Sequence, residues 1–371
     1  MKRPIVTAAL VVVALGVIGV LRLFSSTTTT TSSAPGPVAQ VTATRAAGLH
    51  VQGNRLENAA GRPVVLRGVN RSGTEYACVH GDGIFDGPSN AASVRAIRSW
   101  GATLVRIPIN EDCWLGINGV SRAYSGAAYR AAIVAYVAEL HRAGIVPEVS
   151  LIWAAPGRYL ATYQSGAPDA DHSPAVWTSL ARTFRHDPNV ILGIWGEPVV
   201  DAACFANGGI CEATYGPSNT PYRTAGSKQA VRLIRAAGFG GVIAIPGVAW
   251  ANDLSAWLAN EPHDPLGQLV AEAHVYGGQV CSTTACFSRT MAPVARRVPI
   301  LFGEVGESVG GSDCGSTAVR TILAWAATYH VSWAAWTWDT WGNCSSLISS
   351  YSGTPANRYA AFVRQTLNAP A

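Results

Sequence analysis

Two glutamates end apolar runs, and they are the residues most able to do chemistry in this chain. One run, Val190 to Pro198, reads Val-Ile-Leu-Gly-Ile-Trp-Gly-Glu-Pro; the other, Val298 to Gly306, reads Val-Pro-Ile-Leu-Phe-Gly-Glu-Val-Gly. Each has the composition of a fully buried strand, and the strands present Glu197 and Glu304 near their C-terminal ends. A charge at the end of so apolar a run is costly unless it is paired or put to use. Two such strands suggest two carboxylates facing each other, a pair suited to acid, base or nucleophilic work. The plainer alternative is that each glutamate only pairs with a nearby Arg or Lys.

The rest of the chain supplies the frame. Strand patterns fall at 64–70, 103–109, 145–153, 190–198, 241–247, 269–276, 300–305 and 332–338. Between and after them lie helical patterns at 89–100, 129–143, 173–186, 222–237, 252–259, 287–297, 316–329 and 355–367. Ser89 is the expected N-cap of the first helix, and Pro174 sits at the first helical position of the third. Eight strands, each followed by a helix, predict a single α/β unit, a (β/α)8 TIM barrel. A doubly wound open sheet is the alternative, but no glycine-rich dinucleotide fingerprint recommends it. In a barrel the strand C-terminal ends converge on one face. They bring together Asn70, Arg106, Trp153, Glu197, His274, Tyr276, Glu304, Trp336 and Trp338. Arg106 lies inside an apolar strand and requires a carboxylate partner. His274 and Tyr276 are two apart and share one side of their strand.

Composition narrows the class. The chain has 371 residues, 49% hydrophobic and 13% charged, which is ample for one large core. Its 27 basic residues are dispersed and the net charge is only +5, so nucleic acid is not an expected partner. Twelve Trp and twelve Tyr supply flat faces for packing or for stacking on ligand rings. Eight cysteines without any Cys-x-x-Cys spacing point to an oxidising compartment rather than a zinc ribbon or redox motif. The barrel topology suggests four pairs from adjacent or shared loops: Cys78–Cys113, Cys204–Cys211, Cys281–Cys286 and Cys314–Cys344. Lys2 and Arg3 precede the apolar run Ile5 to Leu21, so residues 1–24 read as a signal peptide or an N-terminal membrane anchor. A Ser/Thr/Pro-rich linker occupies 25–47, and the folded domain is expected over 48–371.

These motifs, in this order, resemble a family-five glycoside hydrolase, the cellulase family. Leu66 to Asn70 is similar to the family's opening strand, and Arg106 to its strand-two arginine. Gly193 to Pro198 resembles its Asn-Glu-Pro motif, which implies Glu197 as acid/base. Ala273 to Tyr276 resembles its His-x-Tyr motif, and Phe302 to Gly306 its nucleophile motif, which implies Glu304 as nucleophile. Trp336 or Trp338 is similar to the tryptophan that floors the sugar site. Two positions depart from the pattern. Gly196 stands where the family has the Asn that hydrogen-bonds the sugar 2-hydroxyl, and Ile152 where it has His.

The resemblance implies a retaining β-glycosidase acting on a β-glucan or related polysaccharide, endoglucanase-like, with no metal or cofactor. Glu304 would attack the anomeric carbon; Glu197 would protonate the leaving oxygen and later activate water. Arg106 and Tyr276 would position Glu304, His274 would orient the site, and tryptophans would stack the sugars. A secreted or membrane-anchored monomer is expected. The rival reading is a catalytically weakened barrel that binds carbohydrate at the cell surface, suggested by Gly196 and Ile152. A serine hydrolase would need a Gly-x-Ser-x-Gly elbow, and none is read here. If the pocket beside Gly196 has not been rebuilt, Gly196→Asn would raise the rate.

Overall fold

The computed structural model describes residues 48–369; the N-terminal segment and the linker lie outside the described residues. Eight parallel strands close a barrel: β1 (Arg67–Asn70), β2 (Leu104–Asn110), β3 (Val146–Trp153), β4 (Ile191–Gly193), β5 (Val242–Pro246), β6 (Leu269–Tyr276), β7 (Ile300–Gly306) and β8 (Ser332–Ala335). Every strand pairs with the next in sequence, and β8 pairs with β1. The (β/α)8 barrel is therefore the architecture of this chain.

The β-branched and apolar runs form the strands because they are buried on both faces, β2 and β6 along their whole length. Outward-facing residues pack under the helices in the large core, with Trp100, Trp177 and Phe287 among its buried rings. Inward-facing Leu104, Ile191, Val242, Val270 and Leu301 fill the lower barrel. A small antiparallel sheet (His50–Gln52, Arg55–Glu57, Pro63–Val64) closes the bottom by adding Leu49, Val51 and Leu56 to that plug.

Several boundaries differ from expectation. The first of the long helices begins at Ala91, and its cap is Asn90, whose side chain accepts from the Ala92 and Ser93 amides. Strand β4 ends at Gly193, so Ile194 to Pro198 leaves the sheet and carries Glu197 out toward the mouth. The segment from 222 is not helical at its start. Gly209–Tyr215 and Thr220–Thr224 form an antiparallel hairpin, and the helix begins only at Ser227. Tyr222 and Thr224 are buried while Pro221 and Arg223 are exposed, the period-two burial of a strand.

All eight cysteines are paired as the loop topology suggests, Cys78 with Cys113, Cys204 with Cys211, Cys281 with Cys286 and Cys314 with Cys344. The two bridges that join different loops span 35 and 30 residues. In the chain-entropy model each such bridge contributes roughly 3–4 kcal/mol. No helix among the described residues is long and apolar enough to cross a membrane.

Candidate active site

Register places the polar residues of the mouth beside one another. Asn70 on β1 is paired with Arg106 on β2, and Arg106 with Glu148 on β3. On the far side Ala273 faces Phe302 while His274 faces Glu304, so the pairing skips Gly303. That one-residue bulge turns Glu304 toward the mouth. Gly303 is also the only size that fits, because a Cβ there would collide with Glu272.

Arg106 is wholly buried and organises the floor. Its Nη1 donates to Glu304 Oε1 at 2.8 Å and to Asn70 Oδ1 at 3.1 Å. Its Nε faces Glu272 at 3.2 Å and Glu148 at 3.4 Å. Asn70 is fixed in turn by donating to the Gly303 and Ala334 carbonyls. Tyr276 donates its hydroxyl to Glu304 Oε2 at 2.5 Å. Burial, and then the charges of Glu304 and Glu197, drive the Tyr276 pKa well above its ordinary value, so the phenol stays a donor.

His274 joins the two glutamates of the opening motifs. Its Nδ1 lies 2.8 Å from Glu197 Oε1 and 3.5 Å from Glu304 Oε1, while Nε2 lies 3.3 Å from Glu272. Glu197, His274 and Glu304 each offer an atom within 4.8 Å of the others. Burial alone would lower the His274 pKa. The Glu304 charge and the hydrogen bonds to Glu197 and Glu272 outweigh it and raise the value to about 10. The shift favours the protonated ring, which donates from both nitrogens to the carboxylates around it. Glu148 moves up to about 8, through burial and then the charge of Glu272.

These shifts have a consequence for stability. A His whose folded pKa lies above its unfolded value of about 6.5 contributes fully below that pH and loses the contribution as pH rises through about 10. Glu148 gives the same sign over a lower window, from its unfolded value of 4.5 up to about 8. Between pH 8 and 10 His274 acts alone of the two. Wild-type unfolding free energy should fall there by about 1 kcal/mol per pH unit more than that of His274→Gln. Denaturant titrations at pH 8, 9 and 10 measure the difference, and parallel slopes would refute it.

The structure brings six of the nine expected residues into one bowl with the two glutamates at its centre, Asn70, Arg106, Glu197, His274, Tyr276 and Glu304 as described; Trp336 is half-buried just past β8, its ring 6.0 Å from Trp341. Trp153 lies on the rim, also half-buried, 6.1 Å from Tyr76. Trp338 is a correction. It is completely buried and packs edge-on against Trp100 at 4.9 Å, so its ring belongs to the core behind β8. A second correction concerns the serine elbow. Gly306 to Gly310 does spell Gly-x-Ser-x-Gly, but a short 3-10 turn follows rather than a helix. Among the described residues the Ser308 hydroxyl meets only the Asp313 backbone.

Some residues escaped the sequence reading. Glu148 and Glu272 are carboxylates inside apolar strands, the signal that singled out Glu197 and Glu304. Tyr76 and Trp341 extend the aromatic rim, Trp341 donating its indole N–H to the Tyr76 hydroxyl at 2.8 Å. Gln164 reaches Glu197 from the loop after β3, and no periodic pattern marks a loop residue. Away from the bowl, Glu111, Asp169 and His172 also form a compact group, with the Ser173 hydroxyl 2.7 Å from Glu111 and 3.1 Å from Asp169.

Comparison with known proteins places the chain in a family. The family model described as Cellulase (glycosyl hydrolase family 5) matches residues 57–342. A mannan endo-1,4-beta-mannosidase of Streptomyces lividans is 23% identical over 341 residues, spanning 90% of this chain and 76% of that protein. Among solved structures, a beta-glucanase of Saccharophagus degradans in complex with cellotetraose superposes with a TM-score of 0.67 at 16% identity, covering 90% of this chain and 97% of that one. A beta-mannanase from Streptomyces thermolilacinus gives 0.60 at 21% identity, covering 87% and 98%. With a family model matched from the N-terminal sheet to the loop after β8, the chain belongs to glycosyl hydrolase family 5, the cellulase family.

Proposed function

We propose that this family-five hydrolase is a retaining, endo-acting glycosidase of β-1,4-linked glucan or mannan, with Glu304 as nucleophile and Glu197 as acid/base. The observation that carries the reading is the compact Glu197–His274–Glu304 group, whose ligating atoms lie within 4.8 Å of one another. Retaining enzymes need their carboxyl groups about 5–5.5 Å apart, whereas inverting ones need about 6.5–9.5 Å to admit a water.

The roles divide by environment. Glu304 has 8% of its side chain exposed and is gripped by Arg106 and Tyr276, which suits a nucleophile that must not rotate. Glu197 has 20% exposed, which suits a group that exchanges a proton with a leaving oxygen and then with water. In the first step Glu304 bonds to the anomeric carbon as Glu197 gives its proton to the departing oxygen. In the second, Glu197 takes a proton from water as that water displaces Glu304. His274, 2.8 Å from Glu197 and 3.5 Å from Glu304 through Nδ1, holds Glu197 at a fixed distance from its partner. Trp336, Trp153, Tyr76 and Trp341 would face the sugar rings.

Both glucan and mannan relatives match the chain, so either polymer fits the reading. Four disulfides over the loops favour an extracellular enzyme, exported by the N-terminal segment, with 48–371 as the catalytic unit. Purified protein incubated with β-1,4-glucan and β-1,4-mannan should release new reducing ends from one of them. Binding to either polymer without such release would instead support the carbohydrate-binding reading.

A further inference from the structure

Gly196 leaves no side chain beside Glu197, yet the space is not open. A Cβ on residue 196 would lie 2.6 Å from Oε1 of Gln164 and 2.7 Å from Cδ1 of Ile152. Both distances are shorter than atoms tolerate, so the side chains of Gln164 and Ile152 already occupy the room. The two departures from the family pattern are thus parts of one rearrangement, and its third member is Gln164.

The Gln164 amide faces the acid/base candidate. Its Nε2 lies 3.3 Å from both the carbonyl oxygen and Oε2 of Glu197. Both contacts are at the long end for N–H···O bonds, and a primary amide carries two N–H donors. Both N–H donors therefore face Glu197, and Oε1, which accepts from no group among the described residues, is the atom left for a ligand hydroxyl, while Arg106, His274 and Tyr276 are committed to carboxylates.

Gln164 sits on a loop, but the loop is clamped. The Ala161 amide donates to Asp112 at 2.8 Å, and its carbonyl accepts from Asn110 at 2.8 Å. The Tyr215 hydroxyl bridges the Thr162 amide and the Leu160 carbonyl, and Tyr163 stacks on Tyr215 at 4.4 Å. Beyond Gln164, the Tyr222 hydroxyl bridges the amide and carbonyl of Ala167. Tyr215 and Tyr222 belong to the hairpin after β4, which Cys204–Cys211 ties to the preceding helix. The hairpin has a task on this account: it fixes one amide beside Glu197.

We propose that Gln164 positions Glu197 and supplies the hydrogen bond to the substrate's 2-hydroxyl that residue 196 lacks the side chain to make. This rests on the reading of Glu197 and Glu304 as acid/base and nucleophile. With the anomeric carbon between those carboxylates, the 2-hydroxyl lies two bonds away, within reach of groups that flank the pair. Hydrogen bonds to it strengthen in the transition state, so the effect falls on kcat more than on KM. Glucose and mannose differ only at this carbon, so Gln164 is also placed to discriminate between them.

The test uses 2,4-dinitrophenyl β-cellobioside and β-mannobioside, each beside its analogue lacking the 2-hydroxyl on the aryl-bearing sugar. On whichever pair the wild type cleaves faster, Gln164→Ala should lower kcat/KM for the hydroxylated substrate by about 10–100-fold and for the 2-deoxy analogue by less than about 3-fold. Gly196→Asn alone should slow the enzyme by displacing Gln164. Adding Gly196→Asn to Gln164→Ala should recover much of the loss, because an amide then returns from the other side. Equal losses on both substrates, or no loss, would overturn the proposal. Glu304→Gly, run alongside, separates the two levels. If it still turns over, or if the wild type cleaves none of the probes, the glycosidase reading itself fails. If it is inactive while Gln164→Ala loses equally on both substrates, only the role of Gln164 fails.

Discussion

Glu304→Gly should reduce turnover of a dinitrophenyl β-glycoside by roughly 10⁴–10⁶-fold, the loss expected when a covalent nucleophile is removed. The substitution leaves a space walled by Arg106 and Tyr276, the two donors that grip the carboxylate. Arg106 keeps Asn70, Glu148 and Glu272, so the guanidinium is not stranded as an unpaired buried charge. Azide is small enough to enter the space and attacks from the side the carboxylate held. One displacement occurs instead of two, so the product is the α-glycosyl azide, with inversion. A folded variant with near wild-type turnover, or azide rescue with retention, would remove Glu304 from the role of nucleophile.

That Glu304 could be singled out from the chain alone has a physical reason. Burial of a carboxylate is costly, so an acidic residue ending an apolar run is conspicuous, and strand C-termini of a barrel converge. The same rule, applied to strand interiors, would have found Glu148 within β3 and Glu272 within β6. It was Arg106 that drew attention there, and its need for a partner is met three times over. The fold was legible because most strands lie in largely apolar stretches, β2, β6 and β7 among them, separated by helical patterns.

What stayed hidden lay in loops and in short strands. The hairpin at 209–224 has one exposed face and offers no long apolar run, so its second strand was merged with the following helix. Gln164 carries no pattern at all. Its meaning depends on Gly196 and Ile152, 32 and 12 positions away along the chain and in contact with it only in the fold. The expectation that Gly196→Asn would raise the rate applied to a pocket that had not been rebuilt; with the ends of Gln164 and Ile152 in that space, under the proposal for Gln164 the rate should fall instead. Trp338 was misplaced because a strand was read through to residue 338, whereas β8 ends at Ala335 and the chain turns the later ring into the core.

Glu197→Ala should behave differently from Glu304→Gly, and the difference assigns the two roles. Loss of the proton donor matters in proportion to how badly the leaving group needs it. With dinitrophenolate, which leaves without protonation, Glu304 should still form the glycosyl-enzyme, so a burst of phenolate is expected. With an alkyl or sugar leaving group the first step should slow by about 10²–10⁴-fold, the usual worth of general acid catalysis. Release then becomes limiting, because no base activates water beside His274. Azide needs no base, enters the space left by the carboxylate and attacks the glycosyl-enzyme from the face opposite Glu304. Two displacements have then occurred and the product is the β-glycosyl azide, with retention. The anomeric configuration, read by NMR, should therefore be opposite in the two rescued variants. The same anomer from both, or an equal loss on good and poor leaving groups in Glu197→Ala, would remove Glu197 from the role of acid/base.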